Sequence, residues 1–435
     1  MIKICKSQKQ NPKKLGIFCW QFVAKHINYD FEVDMIELLS PAGDMEKLKT
    51  AIYFGADAVY VAGKNFGLRA FAGNFELDEL KEATLFCHQK NKKIYVTVNI
   101  IAHNEDFAGL KEYLEFLQEI KVDGVIVADL GVASFVKKYA PNLELHISTQ
   151  ANIINKYSAC LMAELGAKRI VLARELSLEE IKEIRAALPK EVELECFVHG
   201  AMCISYSGRC LLSNYLNGRD SNKGACVQAC RWEYTITEKS RKGQQYEIQE
   251  DDKGTYILNS KDLCMINHIQ ELIEAGVDSL KIEGRMKSPY YVATVTNAYR
   301  RKIDEFYGKT EPKTNYIEEV EKTSHRLFTT GFFYPGENKE NLLTSTPVQS
   351  HEFIAVVLED TSAGWALVEM RNQFKVGEEL EVLSPNDTFN KKFVVTKILD
   401  EDENELECAR RVQQKLFVAT DLPLKRGDIL RRKNK

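Results

Sequence analysis

The sequence predicts an α/β fold: a (β/α)8 TIM-like barrel carrying a Cys-rich insert, followed by a small all-β barrel domain. Eight β-branched apolar runs recur between residues 36 and 284, each closing near a polar residue or glycine. Most are separated by helix-length segments, as in a parallel sheet covered by helices. Beyond residue 350 the pattern changes to short strands between turn signals, the mark of a small antiparallel barrel.

The eight runs are IELLSPAGD (36–44), ADAVYVAG (56–63), KIYVTVNI (93–100), VDGVIVAD (122–129), LELHISTQ (143–150), AKRIVLAR (167–174), VELECFVHG (192–200) and DSLKIEG (278–284). GAD, VDG, GAK and GVD introduce the second, fourth, sixth and eighth of them. Helices are expected at 78–91, 177–188, 291–307 and 317–326. A doubly wound open sheet is the structural alternative, because a count of units from one sequence is easily off by one or two. The barrel domain is expected over 35–334, with its insert at 201–277, a polar linker at 335–349 and the β domain at 350–435. Its strands are FIAVVLED (353–360), WALVEM (365–370), GEELEVLS (377–384), KFVVTKIL (392–399) and GDIL (427–430). Residues 1–34 join a Lys-rich start to a short apolar run that loosely imitates a signal sequence. Met35 reads as the true start, and 1–34 as a disordered or mis-called extension.

Composition narrows the class. Hydrophobic residues at 44% and charged residues at 28% are those of a globular chain, and no apolar run approaches the roughly 18 residues of a membrane span. No membrane partner is expected. The formal net charge is -4, so contact with nucleic acid must come from local patches. Candidates are KSRK (239–242) and the tail 425–435; both also read as solvated surface. Eleven cysteines without an ordinary signal peptide point to a reducing cytoplasm, where thiols stay free or bind metal.

In such a barrel the strand ends converge on one mouth, where the chemistry is placed. That mouth gathers Asn99, Asp129, Gln150, Arg174, His199 and Glu283, with Arg285 and Lys287 just beyond. Each alone also reads as a helix cap or an ion-pair member. The insert leaves the seventh strand at this end and brings Cys203, Cys210, Cys226 and Cys230 over the mouth. Four thiolates in one loop suit a tetrahedral zinc or a [4Fe-4S] cluster. Structural zinc favours two close pairs and only Cys226 and Cys230 form one, so the irregular spacing leans toward the cluster; zinc and metal-free thiols stay open. Cys196 reads as a core thiol, and Cys264, expected in a helix after KDL, as a substitute ligand. A nucleophilic cysteine with His199 as base is a further reading, for which four cysteines are too many. Arg209, Arg219 and Arg231 are expected to lower the thiol pKa values. HExxH, GxSxG and P-loop motifs are absent from the sequence.

ELLSPAGD with GADAVYV, RAFAGNF (69–75), ECFVHGAMCISYSGRCLLSNY (195–215), GRDSNKGACVQACRWEY (218–234) and SLKIEGRMKSPYY (279–291) resemble the peptidase U32 family over about residues 35–335. The terminal β domain resembles that of the family's longer members. The C-x3-C ending at Cys230 and this added domain are most similar to members that hydroxylate tRNA. The resemblance implies formation of 5-hydroxyuridine at the wobble position without dioxygen, with prephenate as hydroxyl donor and Cys203, Cys210, Cys226 and Cys230 as [4Fe-4S] ligands. Its implied partners are tRNA, a small dicarboxylate co-substrate and an unidentified electron donor. Other members hydroxylate 23S rRNA or act on quinone precursors, and the family name records an older assignment as collagenase-like proteases. On this basis Arg174, Arg285 and Lys287 are expected to hold the two carboxylates, with Asn99 and Gln150 also binding substrate. His199, Glu283 and Asp129 are the catalytic candidates. Phe71, Phe75 and Tyr206 are candidates for stacking an extruded base.

Overall fold

The computed structural model of the chain describes residues 35–64, 66–67, 73–203, 205–231, 235–237, 245–247, 261–310, 315–336 and 347–434. The expectations for 1–34, for Phe71, for the KSRK tract and for part of the linker lie outside these residues.

All eight apolar runs are strands: β1 (Glu37–Pro41), β2 (Ala58–Val61), β3 (Lys93–Val98), β4 (Gly124–Val127), β5 (Glu144–Ile147), β6 (Arg169–Val171), β7 (Glu193–Ala201) and β8 (Ser279–Ile282). Each pairs in parallel with the next, β8 pairs with both β1 and β7, and the sheet closes. Both faces are therefore covered, which is why the strands read as continuous apolar runs. The helices that cover them are α1 (Met45–Tyr53), α2 (Leu77–Gln89), α3 (Leu110–Glu119), α4 (Leu130–Tyr139), α5 (Lys156–Glu164) and α6 (Leu178–Ala187). The insert helix α7 (Leu212–Asn217), then α8 (Ile269–Glu274), α9 (Pro289–Phe306) and α10 (Tyr316–Val320), complete the series. Their starts are written locally. Asp44 and Ser288 accept backbone N–H groups of the first turns of α1 and α9, Pro289 opens α9, and Ser177 with Glu180 forms a capping box on α6. Among the described residues no helix is long and apolar enough to cross a membrane.

Two expected elements differ. The 317–326 helix stops at Val320 because His325 forms an antiparallel bridge with Val348, exchanging hydrogen bonds of 3.0 and 2.7 Å. Cys264 lies in a strand, Asp262–Cys264, that runs antiparallel to the end of β7 with Cys264 opposite His199. Strand pairing overrides the helical pattern in both places.

Inside the barrel Leu39, Ala58, Tyr60, Tyr95 and Ile126 form an apolar cluster on β1 to β4. Against it, 5.0 Å over the Tyr95 ring, Arg169, 2% exposed, forks onto three carboxylates: Glu37 at 2.5 Å, Glu193 at 2.5 Å and Glu195 at 3.0 Å. Ser279 and Tyr95 each donate to Glu37 at 2.8 Å, and the Lys281 ammonium sits 2.6 Å from Glu195. Burial opposes ionisation of Glu37, yet Arg169 and these donors hold its carboxyl down to about 2.

The β domain is an eight-stranded antiparallel sheet curled around a core that includes Ile354, Val368, Leu380, Val418 and Leu430. Lys415–Ala419 and the two-residue strands at 374–375, 405–406 and 408–409 were not anticipated, although Leu416 and Val418 alternate inward as a strand requires. The domain is anchored to the barrel by buried and half-buried groups. Arg431 reaches Glu319 of α10 at 2.6 Å, Tyr290 stacks on Phe353 at 5.7 Å, and Arg301 lies 4.1 Å over Phe389. The basic tail offered as a nucleic-acid patch is thus largely ion-paired: Lys425 with Asp360, and Arg432 with Glu352 and Glu378.

Replacing Arg169 with Leu strands three interior carboxylates, and urea unfolding is expected to show a loss of about 3–5 kcal/mol. Arg169→Lys keeps the charge but not the fork and is expected to lose less. An Arg169→Leu variant as stable as wild type contradicts this role.

Candidate active site at the barrel mouth

Above Lys281 the barrel opens into a cavity of about 90 Å³, which brings together Asn99, Gln150, Arg174, Glu283 and Arg285. Arg285, 3% exposed, donates to Thr97 Oγ1 at 3.1 Å, and Asn99 Nδ2 donates to Ser148 Oγ at 3.3 Å. Glycines let the backbone close on this ring. A Cβ on Gly43, in the loop after β1, would lie 2.4 Å from the Arg285 carbonyl oxygen. One on Gly200, at φ +109°, would lie 2.7 Å from that of Glu283. Arg174 donates to the Ala201 carbonyl at 2.6 Å and lays its guanidinium 4.0 Å over the Phe197 ring.

Three expected residues do not join this cavity. Asp129 caps α4 by accepting from Val132 N at 3.0 Å. Lys287 donates to the Ser324 carbonyl at 3.3 Å and rests over Tyr291. His199 is buried among the rings of Tyr291, Tyr299 and Phe328, beyond the register shift of β8 at Lys281/Ile282. Burial, reinforced by the neighbouring His325 and Lys287, pushes its imidazole down to about 3. Phe75, 2% exposed, is core.

Sequence reasoning missed the level below the strand ends. Tyr60, Thr97, Ser148, Phe197 and Lys281 also line the cavity. The signal was the period of two: Lys281 of β8 and Thr97 of β3 precede the strand-end residues Glu283 and Asn99 by two positions. Lys281 is fully enclosed, between Glu195 and the rings of Tyr60 (4.6 Å) and Phe197 (5.4 Å).

Cys203, Cys210, Cys226 and Cys230 line a second cavity, of about 150 Å³. The loop carrying them is docked closely. A Cβ on Gly208, at φ +73°, would lie 2.2 Å from the Gln150 carbonyl oxygen, and Ser207 N donates to Glu175 at 2.9 Å. Ser221 Oγ and Asn222 Nδ2 hold the Cys210 carbonyl at 2.7 and 3.2 Å, and Gln228 N donates to Cys226 Sγ at 3.3 Å. Loss of solvent raises the Cys203 thiol pKa against a lowering backbone hydrogen bond from Ser205 and the nearby Arg174. Among the described residues no three His, Cys, Asp or Glu side chains converge as they would around a single ion. Cysteine thiols are the donor type that an iron–sulfur cluster takes, and all four of the insert's cysteines line this one cavity. Cys196 and Cys264 are buried and line neither cavity; burial pushes the Cys264 thiol up to about 12. The two cavities share a wall made of Thr149, Gln150 and Arg174.

The depressed His199 pKa has a measurable consequence. A histidine held neutral in the folded state stabilises fully above its unfolded value near 6.5, and that stability is lost as pH falls toward about 3. Its expected slope is about 1.4 kcal/mol per pH unit. Unfolding free energies of His199→Gln between pH 6.5 and 4.5 should fall less steeply than those of wild type. Parallel curves contradict the assignment.

The family profile described as peptidase family U32 matches residues 43–342, and that of the peptidase family U32 C-terminal domain matches residues 349–431. The chain is 40% identical over 402 residues to tRNA hydroxylation protein P1 of Bacillus subtilis, covering 91% of this chain and 94% of that protein. It is 37% identical over 399 residues to tRNA hydroxylation protein P of Escherichia coli, covering 81% and 87%. Its similarity to a 23S rRNA 5-hydroxycytidine synthase of Escherichia coli is 37% over 302 residues, 67% of this chain and 44% of that one. The chain belongs to peptidase family U32.

Proposed function

We propose that this chain is a cytoplasmic tRNA-modifying enzyme that hydroxylates the wobble uridine to 5-hydroxyuridine without dioxygen, with prephenate as the hydroxyl donor. In this reading Cys203, Cys210, Cys226 and Cys230 hold a [4Fe-4S] cluster. One observation carries it: a cavity lined by four cysteines shares the wall of Gln150 and Arg174 with a polar, cationic barrel mouth. The names of the relatives supply the reaction class.

Hydroxylation at C5 is a two-electron oxidation of the base, so the hydroxyl donor is the oxidant: its C–O bond breaks, the base gains the hydroxyl, and the donor takes up the two electrons and the proton that leaves C5. A bound cluster supplies one-electron transfer. The chain's own residues do the rest. Arg174 and Arg285 present forked donors to a dicarboxylate, and Lys281, ion-paired with Glu195, forms the depth of the cavity. This replaces Lys287, which the fold directs to Ser324. Glu283 lines the cavity and, in this reading, takes the proton that leaves C5. His199, enclosed by aromatic rings, acts through packing. The peptidase reading has the family's name behind it, but His199 lines neither cavity and so does not face the four thiols.

The test is nucleoside mass spectrometry of tRNA from a strain lacking this gene, any second homologue and the oxygen-dependent route. Wild type is expected to restore 5-hydroxyuridine derivatives. Cys226→Ala should fail and lose iron and sulfide on anaerobic purification. Arg285→Gln should retain both yet fall by more than about tenfold, the worth of a charge-assisted hydrogen bond. Unchanged nucleosides after deletion, or zinc in place of iron, defeat the reading.

A further inference from the structure

The outer face of the cysteine insert is unusually apolar for a surface. Tyr206 is 58% exposed, Leu211 67%, Tyr215 88% and Leu216 43%. Exposed apolar groups scattered singly need no explanation, whereas four within eleven residues do. Leu211 and Tyr215 stand one helical turn apart, joined by the Tyr215 N–H bond to the Leu211 carbonyl at 2.8 Å. They share one face of α7. The same stretch is cationic: residues 201–231 hold Arg209, Arg219, Lys223 and Arg231 against the single carboxylate of Asp220, in a chain whose net charge is -4. Arg209 and Arg219 are exposed, and Lys223 is engaged with Asp106 at 2.9 Å. The face is continuous with the candidate site, because Tyr206 also lines the cysteine cavity and Cys210 immediately precedes Leu211.

We infer that this face docks single-stranded RNA next to the base being modified, an inference that rests on the RNA-modifying reading above. Tyr215 and Tyr206 provide ring faces on which unpaired bases stack, and Arg209 and Arg219 meet the phosphates. Aromatic rings interleaved with arginines are what a strand with a π-face and a negative charge at every step selects. The centre of a protein–protein contact is instead depleted in charge.

Fluorescence anisotropy of a labelled tRNA anticodon stem-loop on the full chain tests the surface. Tyr215→Ala is expected to weaken binding about tenfold or more while Tyr215→Phe binds as wild type does. Arg209→Ala should lower the magnitude of the slope of log affinity against log salt by about one. Since Tyr215 is 88% exposed, its variants should melt as wild type does, which separates binding from folding. Wild-type binding that neither Tyr215→Ala nor Arg209→Ala alters overturns the surface and leaves the RNA reading standing. No binding by wild type overturns both. Unaltered RNA affinity with a Tyr215→Ala shift from dimer to monomer in sedimentation assigns the face to a second copy of the chain. Unaltered affinity with lost flotation on phosphatidylglycerol vesicles assigns it to a lipid surface; either result overturns the inference.

Discussion

Arg169 is the constraint on which the rest of the barrel depends. One guanidinium answers Glu37 of β1 and Glu193 and Glu195 of β7, and its partner Glu195 answers Lys281 of β8. The three strands that meet at the closing seam of the sheet are thereby held to one register by charge. A one-residue slip of β1, β7 or β8 would turn a carboxylate or the ammonium out of the network and leave the others unbalanced inside. The adjoining apolar packing tolerates small adjustments, but a fork fitted to three carboxylates does not.

The same network connects the base of the barrel to its mouth. Lys281 is both the last member of the buried set and a wall of the mouth cavity, so its charge reaches the site already balanced by Glu195. Arg174 and Arg285 stand above it, each held by an oxygen from a neighbouring element. The rim is assembled in the same manner. Gly43, Gly200 and Gly208 each bring a loop backbone to a distance that any side chain would forbid. Gly208 is the most consequential, because it seats the cysteine loop on Gln150 and so creates the wall common to both cavities. The β domain touches none of this directly; through Arg431 and Glu319 it braces α10 and α9 from outside.

The architecture was readable from β-branched runs and their spacing, because strands covered on both faces must be apolar along their whole length. The mouth was half readable. Strand-end polar residues such as Asn99, Gln150 and Glu283 met as expected, but Asp129 was taken by the nearest helix start, a local demand that competes wherever a strand feeds a helix. His199 was drawn away because the strand Asp262–Cys264 adds to β7 at its level. Nothing in the local pattern of a segment reveals that its partner lies some sixty residues away. Lys281 and Thr97 were legible in the period of two and were passed over because only the strand tips were counted. The shared wall was not legible, since it depends on the contact between Gly208 and Gln150 across the fold.

Diffraction from anaerobically grown crystals of the full chain, with anomalous data at the iron edge, addresses the central claim directly. A multi-iron peak bounded by the sulfurs of Cys203, Cys210, Cys226 and Cys230, against the wall of Gln150 and Arg174, is the predicted result. A single-metal peak, or iron held by Cys264 or Cys196 away from that wall, contradicts it.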